Sequence, residues 1–175
     1  MGIPVTEAVL EELLHGFESS AFRFEAQPAY AVTGEDEALG EFAEGRPRAP
    51  REFGWWRDWL DLVAGHTSAG KTMERVRILA EPPTTYQRWL LWSDRWHTEA
   101  GERISCLPRS HAVQAGLPLA DDWWLFDGTL VTVMRFTPAG EPHGLQLITD
   151  PSKVRPYCQW RDVALRQAEE QSAAA

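Results

Sequence analysis

Apolar residues recur near the start of the chain with the period of a helix. Val9, Leu10, Leu13, Leu14 and Phe17 share one face of residues 6–17 while Glu7, Glu11 and Glu12 fall off it, which predicts an amphipathic helix. The period then drops to two: Ala21 to Glu25 (AFRFE) alternates apolar and charged side chains, as a short strand does. Asp36 to Glu44 predicts a second short helix stopped by Gly45. The run GRPRAPREFG, with its prolines, arginines and terminal glycines, predicts a loop. Residues 1–50 are thus read as an N-terminal helix-and-strand extension packed on a main domain of residues 51–175, the whole being one folding unit.

Beyond that loop, Trp55, Trp56, Trp59, Leu60 and Val63 line one face of a helix expected to end near Gly65. Glu74 to Glu81 sets Val76, Ile78 and Ala80 against Arg75, Arg77 and Leu79, then meets two prolines, and predicts a strand. A helix follows, with Tyr86, Trp89, Leu90, Ser93 and Trp96 on one face and its end near His97, and then a strand over Arg103 to Pro108 (RISCLP). DDWWLFDGTLVTVMRF predicts two strands joined by Asp127 and Gly128, a dipeptide suited to a two-residue hairpin turn with positive φ. Trp123 and Trp124, adjacent on a strand, must then point to opposite faces of a sheet. HGLQLIT adds another strand. The last helix takes Asp150 as N-cap and Pro151 in its first turn, with the tail EEQSAAA expected to fray. This order of elements predicts an α/β (strictly α+β) fold, a mixed β-sheet covered by helices.

The most conspicuous motif is Gly65 to Thr72, GHTSAGKT, which has the spacing of a phosphate-binding loop. In a functional loop of that kind a strand enters and a helix leaves, so that the helix N-terminus faces the anion. Here the predicted helix enters and the predicted strand leaves. Gly65 then reads as a helix stop, Gly70 as a turn residue and Lys71 as a solvated side chain.

Composition narrows the rest. A 43% hydrophobic, 25% charged chain of 175 residues is long enough for one domain with its own core. No apolar run approaches the ~18 residues that span a bilayer, and the acidic N-terminus lacks the character of a secretory signal, so a cytoplasmic protein is expected. A net charge of −9 argues against direct contact with nucleic acid. Cys106 and Cys158 read as buried reduced thiols. Cys106 with His111 and Asp121 has the residue types of a thiol triad, but a cysteine in mid-strand has no helix N-terminus to activate it. His66, His97, His111 and His143 lack the spacing of metal ligands. No catalytic residue, metal ligand or cofactor is assigned. The nine tryptophans exceed ordinary usage and suit either a core or an interface.

FESSAFRFE, GKTMERVRILAEPPTTY, AGERISCLPR and DWWLFDGTLVTVMRFTPAGEPHGLQLITDPSKV together resemble a family of small acidic actinobacterial proteins of the Streptomyces type, a domain of unknown function. The likeness runs from about Phe17 to Ala168. It implies association with helix-turn-helix regulators of the WhiJ type. The element order is also similar to one half of a phospholipase D-like domain, whose motif, laid on Asp127, puts Asp122 at the lysine position and Ala120 at the histidine position. That resemblance implies a half-domain without catalysis. The expected function is therefore that of a non-enzymatic regulatory protein working by contact with a protein partner, a helix-turn-helix regulator, with a homodimer left open. The alternative is a small-molecule-binding or biosynthetic enzyme with a pocket at the strand ends. Arg77, Glu81, Tyr86, Trp92, Arg109, Trp123 and Asp127 are the candidate binding residues.

Overall fold

A computed structural model describes residues Gly2 to Ala174. The elements run β1 (Ile3–Pro4), α1 (Glu7–Gly16), β2 (Ser20–Glu25), α2 (Asp36–Ala43), a 3-10 turn (Pro50–Glu52), α3 (Gly54–Ser68), β3 (Thr72–Leu79), α4 (Thr85–Glu99), β4 (Arg103–Pro108), α5 (Arg109–Gln114), β5 (Asp122–Phe126), β6 (Leu130–Phe136), β7 (Pro142–Ile148) and α6 (Pro151–Ala174). The seven strands form one open mixed sheet in the order β1-β7-β6-β5-β2-β3-β4. β2, β3 and β4 are parallel, and every other pairing is antiparallel. The N-terminal fifty residues supply β2, which is hydrogen-bonded on both sides, to β3 and to β5.

The sheet is covered on both faces, as strands with a parallel core usually are. On one face Phe22, Phe24, Val76, Ile78, Trp123 and Leu125 pack against α5 and α6 through Ala112, Val154, Ala164 and Ala168. On the other, Ala21, Met73, Trp124 and Phe126 meet Trp56, Leu60, Val63 and Trp89 of α3 and α4. Trp123 and Trp124 enter opposite cores, as the period of two requires. α1 is held more loosely: none of its residues is fully buried, and Leu10, Leu13 and Leu14 are half-buried against the second core.

Local signals set several boundaries. Thr84 Oγ1 accepts from the Gln87 amide at 3.1 Å while Gln87 Oε1 accepts from the Thr84 amide at 3.3 Å, a reciprocal cap that starts α4. Asp127 (φ 52°) and Gly128 (φ 67°) make the tight turn after β5, closed by the Thr129 amide on the Phe126 carbonyl at 3.0 Å. Because Phe126 pairs with Leu130, the loop has three residues rather than two.

Other expectations are corrected. α3 does not stop at Gly65 but runs to Ser68, because His66 is buried in the next turn with Nε2 2.8 Å from the Leu14 carbonyl and its ring 4.3 Å from Phe17. Gly70, at φ 83°, makes the turn. Lys71 is half-buried rather than solvated: its Nζ donates to the Phe17 carbonyl at 2.5 Å and lies over the Phe17 ring. The C-terminal tail is helical to Ala174 as part of α6. α5 and β1 have no counterpart in the predicted elements, being too short for a periodic pattern. Cys106 and Cys158 are half-buried.

Candidate functional site

The middle of the sheet carries charge where a core would be expected. Arg23 and Glu25 of β2, with Arg75 and Arg77 of β3, point to the α3–α4 face, and the register pairs Arg23 with Arg75 and Glu25 with Arg77. All four are buried, so each charge needs a partner. Glu25 is the hub. Its Oε1 lies 2.5 Å from Arg75 Nη1, its Oε2 2.9 Å from Arg77 Nε, and Arg23 stands 3.9 Å away. Arg75 also bonds Glu102 at 2.8 Å, Arg77 bonds Asp94 at 2.9 Å, and Arg23 bonds Asp122 at 2.9 Å.

The electrostatics follow from this wiring. Burial pushes the Glu25 carboxyl up, but Arg75, Arg77 and Arg23 outweigh it and hold the group at about 2. Glu102, equally buried, is held at about 2 by Arg75 and by its hydrogen bond with His97. Burial pushes Asp122 above its usual value. The hydrogen bonds it accepts from Arg23, from the Ala26 amide at 2.9 Å and from Tyr30 Oη at 2.5 Å oppose that rise.

Aromatic side chains wall in this platform. Trp55 stacks on Trp56 with centroids 5.0 Å apart, Trp56 meets the edge of Trp89, and Tyr86 meets the other side of Trp89. Trp124, opposite Arg23 in the register, takes the Arg23 and Arg75 guanidiniums near its ring and meets Trp59 edge-on. Trp56 Nε1 is 3.2 Å from His97 Nε2, and His97 Nδ1 is 2.8 Å from Glu102. An indole N–H only donates, so Nε2 accepts and Nδ1 carries the proton to Glu102, which makes His97 the neutral tautomer. The two histidine bonds lock the Trp56 ring to the charged floor.

Between floor and walls lies an open cleft of about 420 Å³. At its mouth Glu35, from the loop before α2, accepts a hydrogen bond from Tyr86 Oη at 2.6 Å. Burial raises the Glu35 carboxyl to about 7, with Glu25 and Asp36 adding to the effect and the Tyr86 bond opposing it. Glu35 can therefore exchange a proton near neutral pH. Cys106, opposite Arg77 in the register, is no nucleophile, since burial lifts its thiol to about 11. Among the described residues no group of three or more His, Cys, Asp or Glu side chains is placed to hold a metal ion.

Of the residues singled out from the sequence, Arg77 and Tyr86 line this cleft. The others are dispersed. Glu81 is exposed and accepts from the Ser110 amide and hydroxyl, while Arg109 donates to the Ala26 carbonyl. Trp92 packs on Phe42 and Trp96, and Trp123 stacks on Phe24 in the opposite core. Asp127 sits at the far end of β2, where it accepts from the amides of Glu18, Ser19 and Ser20. Sequence reasoning missed Arg23, Glu25, Glu35, Arg75, His97 and Glu102. A signal was present for the strand residues: AFRFE and ERVRI alternate charge with apolar side chains, and two strands covered on both faces must pair such charges with one another.

A second concavity, a groove of about 540 Å³, runs between α1 and the β6–β7 pair, with Leu10, Leu14, Phe136 and Leu145 at its base and Glu7 and Glu11 along its rim.

Comparison with known proteins finds 30% identity over 121 residues to the mitochondrial DNA-directed RNA polymerase of Mus musculus. The matched region is 62% of this chain but only 10% of the polymerase, so this chain spans a small fraction of that protein's length. The family described as "Domain of unknown function (DUF6879)" matches residues 8–173, nearly the whole chain including every residue of the cleft. The protein belongs to the DUF6879 family.

Proposed function

We propose that this protein is a small-molecule-binding domain acting in the cytoplasm, with its ligand seated in the cleft between the sheet and helices α3 and α4. The observation that carries this reading is the build of the cleft: about 420 Å³, within the range of ligand sites, with aromatic walls over a floor of charges already paired with one another. A floor so costly to bury contributes little net stability over apolar residues of the same volume, which argues that it serves recognition. Ligand-observed NMR with a fragment set of mixed charge tests the reading. Fragments that bind should lose their signal changes in Trp55→Ala, a substitution at a 41% exposed side chain that leaves the core intact. A set of fragments with no binder, or binders indifferent to Trp55→Ala, overturns it.

The groove beside α1 favours a second reading, protein–protein contact in regulation. Its apolar base and acidic rim suit a basic amphipathic helix of a partner, and the resemblance to actinobacterial proteins associated with WhiJ-type regulators suggests a helix-turn-helix protein. Titration of a purified regulator of that type should weaken at higher salt and in the Glu7→Lys, Glu11→Lys double variant. Binding unchanged by both, or none, removes this reading.

A further inference from the structure

The hydrogen-bonding groups of the cleft narrow the class of ligand, on the premise, proposed above, that the cleft binds a small molecule. Three arginines line it, Arg23, Arg75 and Arg77, against two carboxyls, Glu25 and Glu35. Asp94, Glu102 and Asp122, which also hold the guanidiniums, stand outside the lining. The acceptors inside are largely taken. Glu25 receives Arg75 on one oxygen and Arg77 on the other, Glu35 Oε2 receives Tyr86 Oη, and His97 Nε2 receives Trp56. The donors are not. Arg77 bonds through Nε and Nη1, and its Nη2 makes no hydrogen bond among the described residues. Arg23 bonds through Nη1 and Nη2, while its Nε stays 3.9 Å from Glu25. Trp89, only 1% exposed, lines the cleft and has an indole N–H without an acceptor among the described residues. A buried donor left without an acceptor is costly, and folded proteins rarely keep one.

We infer that the cleft binds an organic carboxylate, a single negative charge on an apolar body, whose oxygens accept from the guanidinium and indole N–H groups that the protein leaves free. The planar fork of arginine matches a carboxylate, and Val32, Leu90 and Met134 of the lining offer apolar surface to the rest of the molecule. A cation would meet three guanidiniums and find the acceptors occupied. A second negative charge would meet Glu25 and Glu35. Binding is then linked to protons through Glu35, which faces Tyr86 from α4 and Glu25 from β2, with Asp36 beside it in the chain. An anion in the cleft favours the protonated form of Glu35, so binding takes up a proton and weakens as pH rises through 7. Arg75, Arg77 and Glu25 keep their charge across this range.

Calorimetric titration of the intact protein with 3-phenylpropionate, 3-phenylpropionamide and 3-phenylpropylammonium, one body with three head groups, tests the inference. The carboxylate should bind at least about tenfold more tightly than the amide, the margin of a hydrogen bond to a charged acceptor, and the ammonium should be the weakest. Affinity for the carboxylate should fall about tenfold from pH 6 to pH 8, the change in the protonated fraction of a group near 7, with proton uptake on binding. Glu35→Gln should abolish both the fall and the uptake while leaving the fold intact by far-UV circular dichroism. Equal affinity for carboxylate and amide, or preference for the ammonium, overturns the inference and leaves a ligand site of another class. A carboxylate affinity that does not fall with pH, or that falls equally in Glu35→Gln, overturns its placement in this cleft. Absence of binding by all three also overturns it, and the fragment screen with Trp55→Ala then decides separately whether the cleft binds small molecules.

Discussion

Replacing Glu25 by glutamine removes one charge from the centre of the sheet and keeps the shape. The carboxylate is 5% exposed and lies against Arg75, Arg77 and Arg23, so its loss leaves three buried guanidiniums sharing what remains. Two routes give the magnitude. Breaking a buried pair from one side costs ~3–5 kcal/mol, and a glutamine oxygen that still accepts a hydrogen bond belongs at the lower end. Independently, the carboxyl falls from its ordinary 4.5 to about 2 on folding, which at ~1.4 kcal/mol per pKa unit is about 3 kcal/mol. Because the folded value is depressed, this stability is fully present above pH 4.5 and is lost as pH falls through 2. Urea denaturation followed by tryptophan fluorescence should show the midpoint of Glu25→Gln lowered by about 1.5 M at pH 7, taking an m-value of roughly 2 kcal/mol/M. The gap between wild type and variant should close between pH 4.5 and pH 2, while the contribution of Glu102, common to both, cancels. A gap below about 1 kcal/mol at pH 7, or one that persists undiminished at pH 2, would refute the assignment of Glu25 as the hub.

Three further perturbations follow from the turns and caps. Lys71→Ala should cost ~1 kcal/mol, the worth of its hydrogen bond to Phe17 and its place over the ring, and lower the melting temperature by about 2–4 °C; millimolar ATP or GTP with magnesium should stabilise neither protein, and a nucleotide shift abolished by Lys71→Ala would restore the phosphate-loop reading of GHTSAGKT. Gly101→Ala should be far more damaging than Gly70→Ala: both sit at positive φ, a strain of ~1–2 kcal/mol, but a β-carbon on Gly101 would meet Thr67 Oγ1 at 2.5 Å while one on Gly70 meets nothing within 4 Å, so equal urea midpoints for the two would contradict the packing. Asp127→Ala should cost ~1–2 kcal/mol by removing the acceptor of the solvent-accessible Glu18, Ser19 and Ser20 amides and straining the turn, whereas Asp127→Asn, which tolerates φ 52° and still accepts, should cost less; thermal unfolding of the pair checks the order.

The elements of this fold were legible because the forces that define them act over a few residues. Periodicity and flanking glycine or proline located β4 at Arg103–Pro108, the turn at Asp127–Gly128 and the alternation that sends Trp123 and Trp124 to opposite cores. The same local order, helix before Lys71 and strand after it, sufficed to reject the phosphate loop. Where a boundary depended on a distant contact, local reading failed: α3 passes through Gly65 because His66 packs on Phe17, fifty residues earlier. The cleft lay further out of reach. Arg77 and Tyr86 could be suspected from the sequence, but only the placement of β2 between β3 and β5 brings Glu25 among Arg23, Arg75 and Arg77, and only the tertiary path of the chain sets Glu35 on Tyr86 and Trp56 on His97. Strand pairing is a choice among distant partners that share the same backbone hydrogen-bonding groups. The alternating charges of AFRFE and ERVRI show that each strand carries charge on one face, while the tertiary structure alone decides that the two faces coincide and are buried together.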